Sequence, residues 1–246
     1  MYKSVQNEML TKNRRIMKIL NLYACLGGNR YKWDEVSNDL EITAVELDPE
    51  LARLYQERFP NDTVIVADAH QYLLDHYKEY DFIWSSPPCP THSRMRKTNT
   101  GEGERKSKAT YPDMKLYQEI LLLEHFFEGK YVVENVIPFY EPLIPAKKRD
   151  RHLYWTNFNL PSNLNGRKAS NFIYSKVSDL SKFHAYDFNK LKQFDKFVST
   201  GHNKNKDSIR IEKIARNLVD YEAGRTILET ALGIIKSNNI NQTSLF

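Results

Sequence analysis

The chain has 246 residues, of which 41% are hydrophobic and 27% are charged, and this composition fits a globular protein with a full core. Two cysteines are too few for a disulfide framework or for a zinc site built from cysteines, and we predict no metal site. No apolar run is long enough to span a membrane, and the first residues lack the apolar stretch of a secretory signal. We therefore expect a cytoplasmic protein with no membrane partner.

The positive charge of the chain is concentrated in three segments. The formal net charge is +5 at pH 7, which favours a polyanionic partner without proving one. Lysine and arginine cluster in residues 94–108, 147–151 and 190–216. Solvated loops would explain these basic segments equally well, so composition alone leaves the partner open.

Short β-rich runs alternate with amphipathic runs after a polar N-terminal arm at 1–16. Strands are predicted at 18–24, 42–47, 63–67, 81–86 and 131–135, and helices at 49–59, 69–77 and 112–127. Pro49 and Pro112 each suit the first turn of a helix. Because strands that are apolar throughout and alternate with helices form parallel sheets covered on both faces, we predict an α/β fold with a doubly wound, mostly parallel sheet.

The pattern changes after about residue 159. Residues 159–207 are rich in Asn, Lys, Ser and Phe with weak periodicity, and we predict a small separate lobe there. Helical patterns return at 208–217 and 221–236. The second has one apolar stripe, expected to pack on the sheet, that consists of Ala223, Ile227, Leu228, Ala231, Leu232 and Ile235. The main domain is therefore predicted to combine 17–158 with 208–246.

Glycines and acids follow the first three predicted strands. Gly27 and Gly28 form a turn after the first strand, Glu46 ends the second, and Asp68 follows the third. The carboxyl ends of parallel strands meet at one edge of a sheet, where ligands of such sheets bind. There an acid can accept hydrogen bonds from a ribose hydroxyl or an adenine amino group. These signals predict a nucleoside site, and the chain has no phosphate-binding GxxxxGK[ST] loop that would indicate ATP.

The fourth predicted strand leads into a candidate nucleophile, Cys89, which directly follows two prolines. His92, Arg94 and Arg96 come next, and positive surroundings would favour the thiolate. The alternative is a buried structural cysteine, which is the role that we expect for Cys25.

The fifth predicted strand and the segment after it add polar groups. Glu134 and Asn135 could contact the ring nitrogen and the amino group of a pyrimidine. Arg149 and Arg151 are two residues apart, and therefore on one face if that segment is extended.

With these motifs the sequence resembles the C5-cytosine DNA methyltransferase family, as a small member of the kind found in phages or restriction-modification systems. The motifs YACLGG, VELD, ADAH, PPC, ENV, RDR and RNLV follow one another in the family's order, spread over residues 18 to 236. The resemblance implies a Rossmann-like, S-adenosylmethionine-dependent methyltransferase fold. It also implies a monomer in a bacterial or phage-infected cell, acting on DNA, with double-stranded DNA expected and RNA left open.

The resemblance also implies roles for individual residues. Cys89 attacks C6 of a flipped cytosine, Glu134 contacts N3, and Arg151 holds O2. Arg149 supports Arg151, and Asn135 orders the loop that carries the cysteine. The implied contacts to S-adenosylmethionine are Tyr23, Ala24, Gly27, Gly28, Glu46, Leu47, Asp68, Ala69, Pro88 and Asn217. Such a site cannot reach a base that is stacked in a duplex, so the resemblance also implies that the target base is flipped out of any double-stranded substrate.

The chain departs from the family pattern at several points. Cys25 replaces the first glycine of the turn, Pro90 replaces a glutamine, and His92 replaces an aromatic residue. RNLV stands where the family has GNSV, and the lobe at 159–207 is much smaller than a usual target-recognition domain.

Two other classes of protein remain open. SPPC at 86–89 is close to the [DNS]PP-aromatic motif of methyltransferases that act on exocyclic amino groups. A non-catalytic module that binds nucleic acid, with S-adenosylmethionine as a structural ligand, is the second alternative. The order of ENV and RDR after the cysteine favours methylation of carbon.

Overall fold

The computed structural model describes residues 15–94, 111–167, 175–197 and 210–235. Nearly all of the predicted N-terminal arm and most of the basic segment 94–108 lie outside these ranges. The strands are β1 (Met17–Leu22), β2 (Leu40–Glu46), β3 (Thr63–Val66), β4 (Phe82–Ser85), β5 (Lys130–Val136), β6 (Lys147–Arg149) and β7 (His152–Thr156). The α-helices are α1 (Pro49–Arg58), α2 (Ala69–His76), α3 (Lys115–Phe126), α4 (Val177–His184), α5 (Ile211–Asn217) and α6 (Tyr221–Ala231). Within the described ranges, no helix is long and apolar enough to cross a membrane.

The seven strands form one sheet in the order β3-β2-β1-β4-β5-β7-β6. The first five are parallel to their neighbours, whereas β7 runs antiparallel to both β5 and β6. The predicted α/β fold with a mostly parallel sheet is confirmed. Because β1 to β5 are parallel, their carboxyl ends lie at one edge of the sheet, and the loops that follow them can build a common site.

Helices cover both faces of this sheet, so its central strands are apolar at successive positions. Ile83 and Val133 belong to the hydrophobic cluster that contains α2 and α3. Their neighbours Phe82, Trp84 and Val132 point to the opposite face, into a cluster completed by α6. The period-two alternation of a strand therefore places apolar side chains in two separate halves of the core.

The described part of the predicted lobe shares its core with the main domain. Leu180, Phe188 and Leu191 belong to one hydrophobic cluster with Leu54 of α1 and Ile214 of α5. The domain boundary at residue 159 stays a prediction, but residues 175–197 pack against the helices that flank the sheet.

The helices α3 and α6 are several residues shorter than predicted. α3 begins at Lys115, whose N–H donates to the side chain of Asp113 at 3.0 Å, so Pro112 precedes the helix instead of standing in its first turn. α6 ends at Ala231 because Gly233 turns the chain with a φ of +72° and donates its N–H to the carbonyl of Thr230. The apolar stripe predicted for 221–236 therefore extends past the end of the helix.

Candidate active site

A cavity of about 970 Å³ opens at the carboxyl edge of the sheet. Its walls come from the ends of β1, β2, β4 and β5, from the β6–β7 hairpin, and from α5. All predicted site residues except Gly27 line it, namely Tyr23, Ala24, Gly28, Glu46, Leu47, Asp68, Ala69, Pro88, Cys89, Glu134, Asn135, Arg149, Arg151 and Asn217. The strand ends singled out from the sequence therefore meet in one place.

The two glycines after β1 serve different contacts. Gly27 has a φ of +66°, and a Cβ added there would lie 2.3 Å from a ring carbon of Phe59. At Gly28 an added Cβ would lie 2.5 Å from the carbonyl oxygen of Val219. The missing Cβ of Gly27 thus faces α1 and the residue lies outside the cavity lining, and its contact with the cofactor stays a prediction. Gly28 allows the segment after α5 to approach the turn closely.

Two residues of the turn between β1 and the glycines have a left-handed backbone conformation. Tyr23 has a φ of +56° and Cys25 a φ of +47°, values that are uncommon for residues with a side chain. The N–H of Cys25 donates to Oε2 of Glu46 at 2.8 Å, which fixes the turn against the end of β2. Burial, followed by the charge of Glu46, raises the pKa of the Cys25 thiol.

Glu46 is engaged by main-chain donors on both of its oxygens. Oε2 accepts the N–H of Cys25, and Oε1 accepts the N–H of Asp48 at 2.9 Å. Burial raises the pKa of this carboxyl group, although the hydrogen bonds from the backbone oppose the effect. Because a carboxylate has about four lone-pair sites, each oxygen can accept one more hydrogen bond from a ligand.

Asp68 combines a structural contact with an exposed oxygen. Its side chain caps α2 by accepting the N–H of Gln71 at 3.0 Å, and its Oδ2 lies 3.4 Å from Nζ of Lys115. The hydrogen bond from Gln71 and then the charge of Lys115 lower the pKa of the carboxyl group. Asp68 is therefore ionised near neutral pH and presents an acceptor to the cavity.

Cys89 follows β4 on a loop that is fixed on both sides of the thiol. The side-chain amide of Asn135 donates to the carbonyl of Pro87 at 2.9 Å. After the cysteine, the N–H groups of His92 and Ser93 both donate to the carbonyl of Cys89 at 3.0 Å. The proline pair stiffens the same loop further.

Burial raises the pKa of the Cys89 thiol, and the negative charge of Glu134 raises it again. The positive charge of Lys213 acts in the opposite direction with a smaller effect. The resting site thus holds a thiol, because both main influences disfavour the thiolate.

The prediction that the residues after Cys89 favour the thiolate is wrong for those that the structure describes. Burial lowers the pKa of His92, so this side chain carries little positive charge near neutral pH. Arg94 donates Nε–H to the carbonyl of Pro138 at 3.0 Å and so anchors the loop. Arg96 lies outside the described residues.

Glu134 is a buried residue of β5 with a histidine beside it. The Oε1 atom of Glu134 lies 3.6 Å from Nε2 of His152, the first residue of β7. His152 also lines the cavity, and we did not single it out from the sequence. Its position directly after Arg151 is the one sequence feature that points to a place in the site. A partly exposed imidazole thus lies next to a buried carboxylate.

Arg149 and Arg151 lie on either side of a hairpin turn. Arg149 ends β6, Asp150 turns the chain with a φ of +47°, and β7 begins one residue after Arg151. The expectation that both arginines share one face of an extended segment is therefore wrong. Both still line the cavity, because the turn itself projects into it.

The guanidinium of Arg149 is occupied by backbone carbonyls. It donates Nη2–H to Leu160 at 2.8 Å, Nη1–H to Lys148 at 2.8 Å, and Nε–H to Pro161. These bonds tie the hairpin to the chain that follows β7. Arg151 is exposed at the turn.

The helix α5 adds two residues to the cavity wall. Asn217, the last residue of α5, was predicted from the sequence. Lys213 was not predicted, because nothing distinguishes it from the other basic residues of the segment 190–216. Lys213 is exposed, and its charge acts on the thiol of Cys89. Among the residues that the structure describes, no group of three His, Cys, Asp or Glu side chains could hold a metal ion.

Solved structures with a similar backbone include methyltransferases. A mutant of DNMT2 from Spodoptera frugiperda is 14% identical and matches with a TM-score of 0.45 over 88% of this chain and 99% of its own. A SAM-dependent methyltransferase from Agrobacterium tumefaciens is 17% identical, with a TM-score of 0.37 over 56% of this chain and 44% of its own. Since both scores lie below 0.5, the fold assignment rests on the strand order of this chain.

Sequence comparison identifies the family. A probable DNA (cytosine-5)-methyltransferase of Frog virus 3 (isolate Goorha) is 30% identical over 64 residues, which cover 24% of this chain and 30% of the viral protein. The match thus spans less than a third of that relative. The family model for C-5 cytosine-specific DNA methylases matches residues 17–139, which is half of the chain and includes the glycine turn after β1, Cys89 and Glu134. The chain therefore belongs to the C-5 cytosine-specific DNA methylase family.

Proposed function

We propose that the protein transfers a methyl group from S-adenosylmethionine to carbon 5 of cytosine in DNA, with Cys89 as the nucleophile. The observation that carries this proposal is the shared cavity, which Cys89 and Glu134 line together with Glu46 and Asp68. A thiol and a carboxyl group suited to a pyrimidine ring thus adjoin acids suited to a nucleoside. Membership of the family supports the same reaction.

The acidic end of the cavity fits S-adenosylmethionine, which supplies an activated methyl group when it is bound. Glu46 keeps lone pairs for the ribose hydroxyls, and the exposed Oδ2 of Asp68 can accept from an adenine amino group. The side chains that would surround the remainder of the cofactor are Tyr23, Ala24, Gly28, Leu47, Ala69, Pro88 and Asn217.

The other end of the cavity fits the cytosine ring. We assign Glu134 to N3 and Arg151 to O2, where a carboxyl group and a guanidinium would stabilise the charge that develops during attack. The thiol proton of Cys89 passes through solvent to the carboxylate of Glu134, which donates it to N3 as Sγ bonds to C6 and the C5–C6 π electrons move towards C5. C5 then takes the methyl group, and the donor leaves as a thioether. Loss of the C5 proton to solvent and cleavage of the S–C6 bond, with the thiolate as leaving group, restore the ring.

The electrostatics of the free site suit a nucleophile that is activated only when the base is bound. Burial, followed by the charge of Glu134, raises the pKa of the Cys89 thiol and keeps it protonated in the free protein. N3 of cytosine can only accept a hydrogen bond, so Glu134 takes up a proton to bind it, and its charge beside Cys89 is lost. Lys213 would continue to favour the thiolate, so binding of the base shifts the balance towards attack.

Asn135 and Arg149 act through the backbone in this proposal. Asn135 holds the loop that carries Cys89, and Arg149 holds the hairpin that carries Arg151. A cytosine within a duplex has to leave the base stack to enter the cavity, and the basic segments of the chain would contact the flanking phosphates.

Transfer of labelled methyl groups to DNA and to RNA, followed by nucleoside analysis, tests the proposal. The expected product is 5-methylcytosine in DNA, formed by the wild-type protein and absent with the Cys89→Ala variant. Label in N4-methylcytosine or N6-methyladenine would overturn the assignment to carbon 5. Label in RNA alone would overturn the assignment to DNA, and the absence of any label would overturn the proposed enzyme.

A further inference from the structure

A buried carboxylate lies beneath the cavity, in the apolar face of α3. Glu119 is completely buried, and three polar side chains converge on it. The hydroxyl of Tyr23 donates to Oε1 at 2.6 Å, and the hydroxyl of Ser85 donates to Oε2 at 2.6 Å. Nδ1 of His70 lies 3.0 Å from Oε1. No sequence motif had singled out Glu119.

The three partners lie at or just after the carboxyl ends of three different strands. Tyr23 directly follows β1, and His70 stands in the first turn of α2, after β3. Ser85 is the last residue of β4, four positions before Cys89. One carboxylate therefore joins two loops that flank the acids of the cavity to the loop that carries the thiol.

Packing alone gives no reason for an acid at this position. The neighbouring positions of the same helix face, Leu116, Ile120 and Leu123, are buried and apolar. A buried carboxylate is costly unless hydrogen bonds compensate for the lost water. Glu119 meets that requirement because Tyr23, His70 and Ser85 form hydrogen bonds with it. The same carboxylate therefore fixes the position of all three segments.

We propose that Glu119 is a positioning residue, which sets the Tyr23 side of the cavity for the methyl donor and, through Ser85, sets the loop of Cys89. The inference rests on the proposed function and deepens it. Tyr23 and Ser85 bind different oxygens of the carboxylate, so each link can be removed without the other. The two halves of the role are therefore separable by substitution.

The test uses two measurements that need no turnover. One is the affinity for S-adenosylmethionine by calorimetry, and the other is the rate at which iodoacetamide alkylates Cys89, followed by mass spectrometry of its peptide. Tyr23→Phe should weaken the affinity about fivefold, which is the effect of removing one hydrogen bond, and leave the alkylation rate within about twofold. Ser85→Ala should raise the alkylation rate about threefold or more, because the loop loosens, and leave the affinity unchanged.

Substitution of Glu119 should combine the two effects. Glu119→Leu should change both measurements, and Glu119→Gln, which keeps the shape and one acceptor oxygen, should change both by less. Tyr55→Phe is the matched control, since it removes a buried tyrosine hydrogen bond to Asp62 of 2.9 Å at a residue outside the cavity lining. It should lower thermal stability to a similar extent and alter neither measurement.

The possible outcomes separate this inference from the proposed function. If Tyr23→Phe and Ser85→Ala lower only stability, as Tyr55→Phe does, Glu119 is a structural residue and the inference is overturned. If the wild-type protein does not bind S-adenosylmethionine, both ideas are overturned together. If the two measurements split as expected while the wild-type protein forms no 5-methylcytosine, the positioning role holds and the proposed reaction is wrong.

Discussion

Asn135 donates its side-chain amide to the carbonyl of Pro87 at 2.9 Å, which joins the end of β5 to the loop of Cys89. Its Oδ1 accepts the N–H of Val136 at 2.9 Å, so the amide is oriented from both ends. The residue is 2% exposed, and water is therefore a poor substitute for either bond. This contact sets the distance between the loop that carries the thiol and Glu134, the preceding residue of β5.

Asn135→Ala should slow methyl transfer without affecting the cofactor. Loss of the amide leaves the buried carbonyl of Pro87 unpaired, at a cost of about 1–3 kcal/mol, and lets the loop of Cys89 shift. We expect kcat to fall by about tenfold or more, because a small misplacement of a reacting group strongly slows the chemical step. Calorimetric affinity for S-adenosylmethionine should stay as in the wild type. A variant with unchanged kcat would show that the loop is fixed by other contacts.

Glu134→Gln should change the reactivity of Cys89 and the rate of catalysis in opposite directions. The charge of Glu134 raises the pKa of the thiol, so its removal lowers that pKa and increases the thiolate fraction at any pH below it. Alkylation of Cys89 by iodoacetamide should become faster, with its pH profile shifted to lower pH, while methyl transfer becomes slower. Faster alkylation combined with faster transfer would contradict the role given to Glu134 at the base.

Glu46→Ala should weaken binding of S-adenosylmethionine. The variant loses the acceptors for the cofactor and also frees the N–H groups of Cys25 and Asp48, so we expect a loss of about 1–3 kcal/mol. Glu41→Ala is the control, because Glu41 is an exposed acid near the amino end of the same strand, β2. Equal affinities of the two variants in calorimetry would mean that the cofactor site lies elsewhere.

The 3-10 helix Phe188–Gln193 carries two exposed lysines, Lys190 and Lys192, which belong to the basic segment 190–216 that is proposed to contact DNA. Lys190→Ala combined with Lys192→Ala should weaken DNA binding and reduce the log–log salt slope by up to about 0.9 for each phosphate that the variant no longer neutralises. Lys196 is a poor choice, because it forms ion pairs of 2.5 and 2.6 Å with Asp48 and Glu50.

A double variant at the opposite edge of the sheet controls for the change in net charge. Lys18 and Lys130 are exposed at the amino ends of β1 and β5, remote from the cavity, and their removal should leave the salt slope unchanged. If both pairs of substitutions reduce the slope equally in filter-binding titrations, the effect is one of net charge and the helix is not a DNA contact.

The strands and the meeting of their polar ends could be predicted because both follow from local rules. Buried parallel strands have to be apolar at successive positions, so the strands around Ile83 and Val133 can be recognised from sequence. The acids Glu46 and Asp68 and the thiol of Cys89 then fall at one edge, because all parallel strands end there. The position of Glu134 beside them follows from the same rule.

The remaining features depend on tertiary contacts that no local pattern encodes. The turn at Asp150 separates two arginines whose spacing suggested a common face. The pKa of Cys89 is raised by burial and by Glu134, neither of which the basic residues next to it in sequence reveal. Gly27 stands in a turn typical of ligand sites, yet a side chain at this position would collide with the ring of Phe59.

A covalent bond between Cys89 and C6 of cytosine distinguishes methylation of carbon 5 from the alternatives, and DNA that contains 5-fluorocytosine can trap it. Fluorine cannot leave C5 as a proton does, so elimination is blocked and the adduct persists. Wild-type protein with S-adenosylmethionine should give a denaturant-resistant complex with DNA, and Cys25→Ala should give the same complex. Glu134→Ala should form it more slowly, and Cys89→Ala should form none. A complex of normal yield with Cys89→Ala, or methylation of ordinary cytosine by that variant at the wild-type rate, would contradict the mechanism.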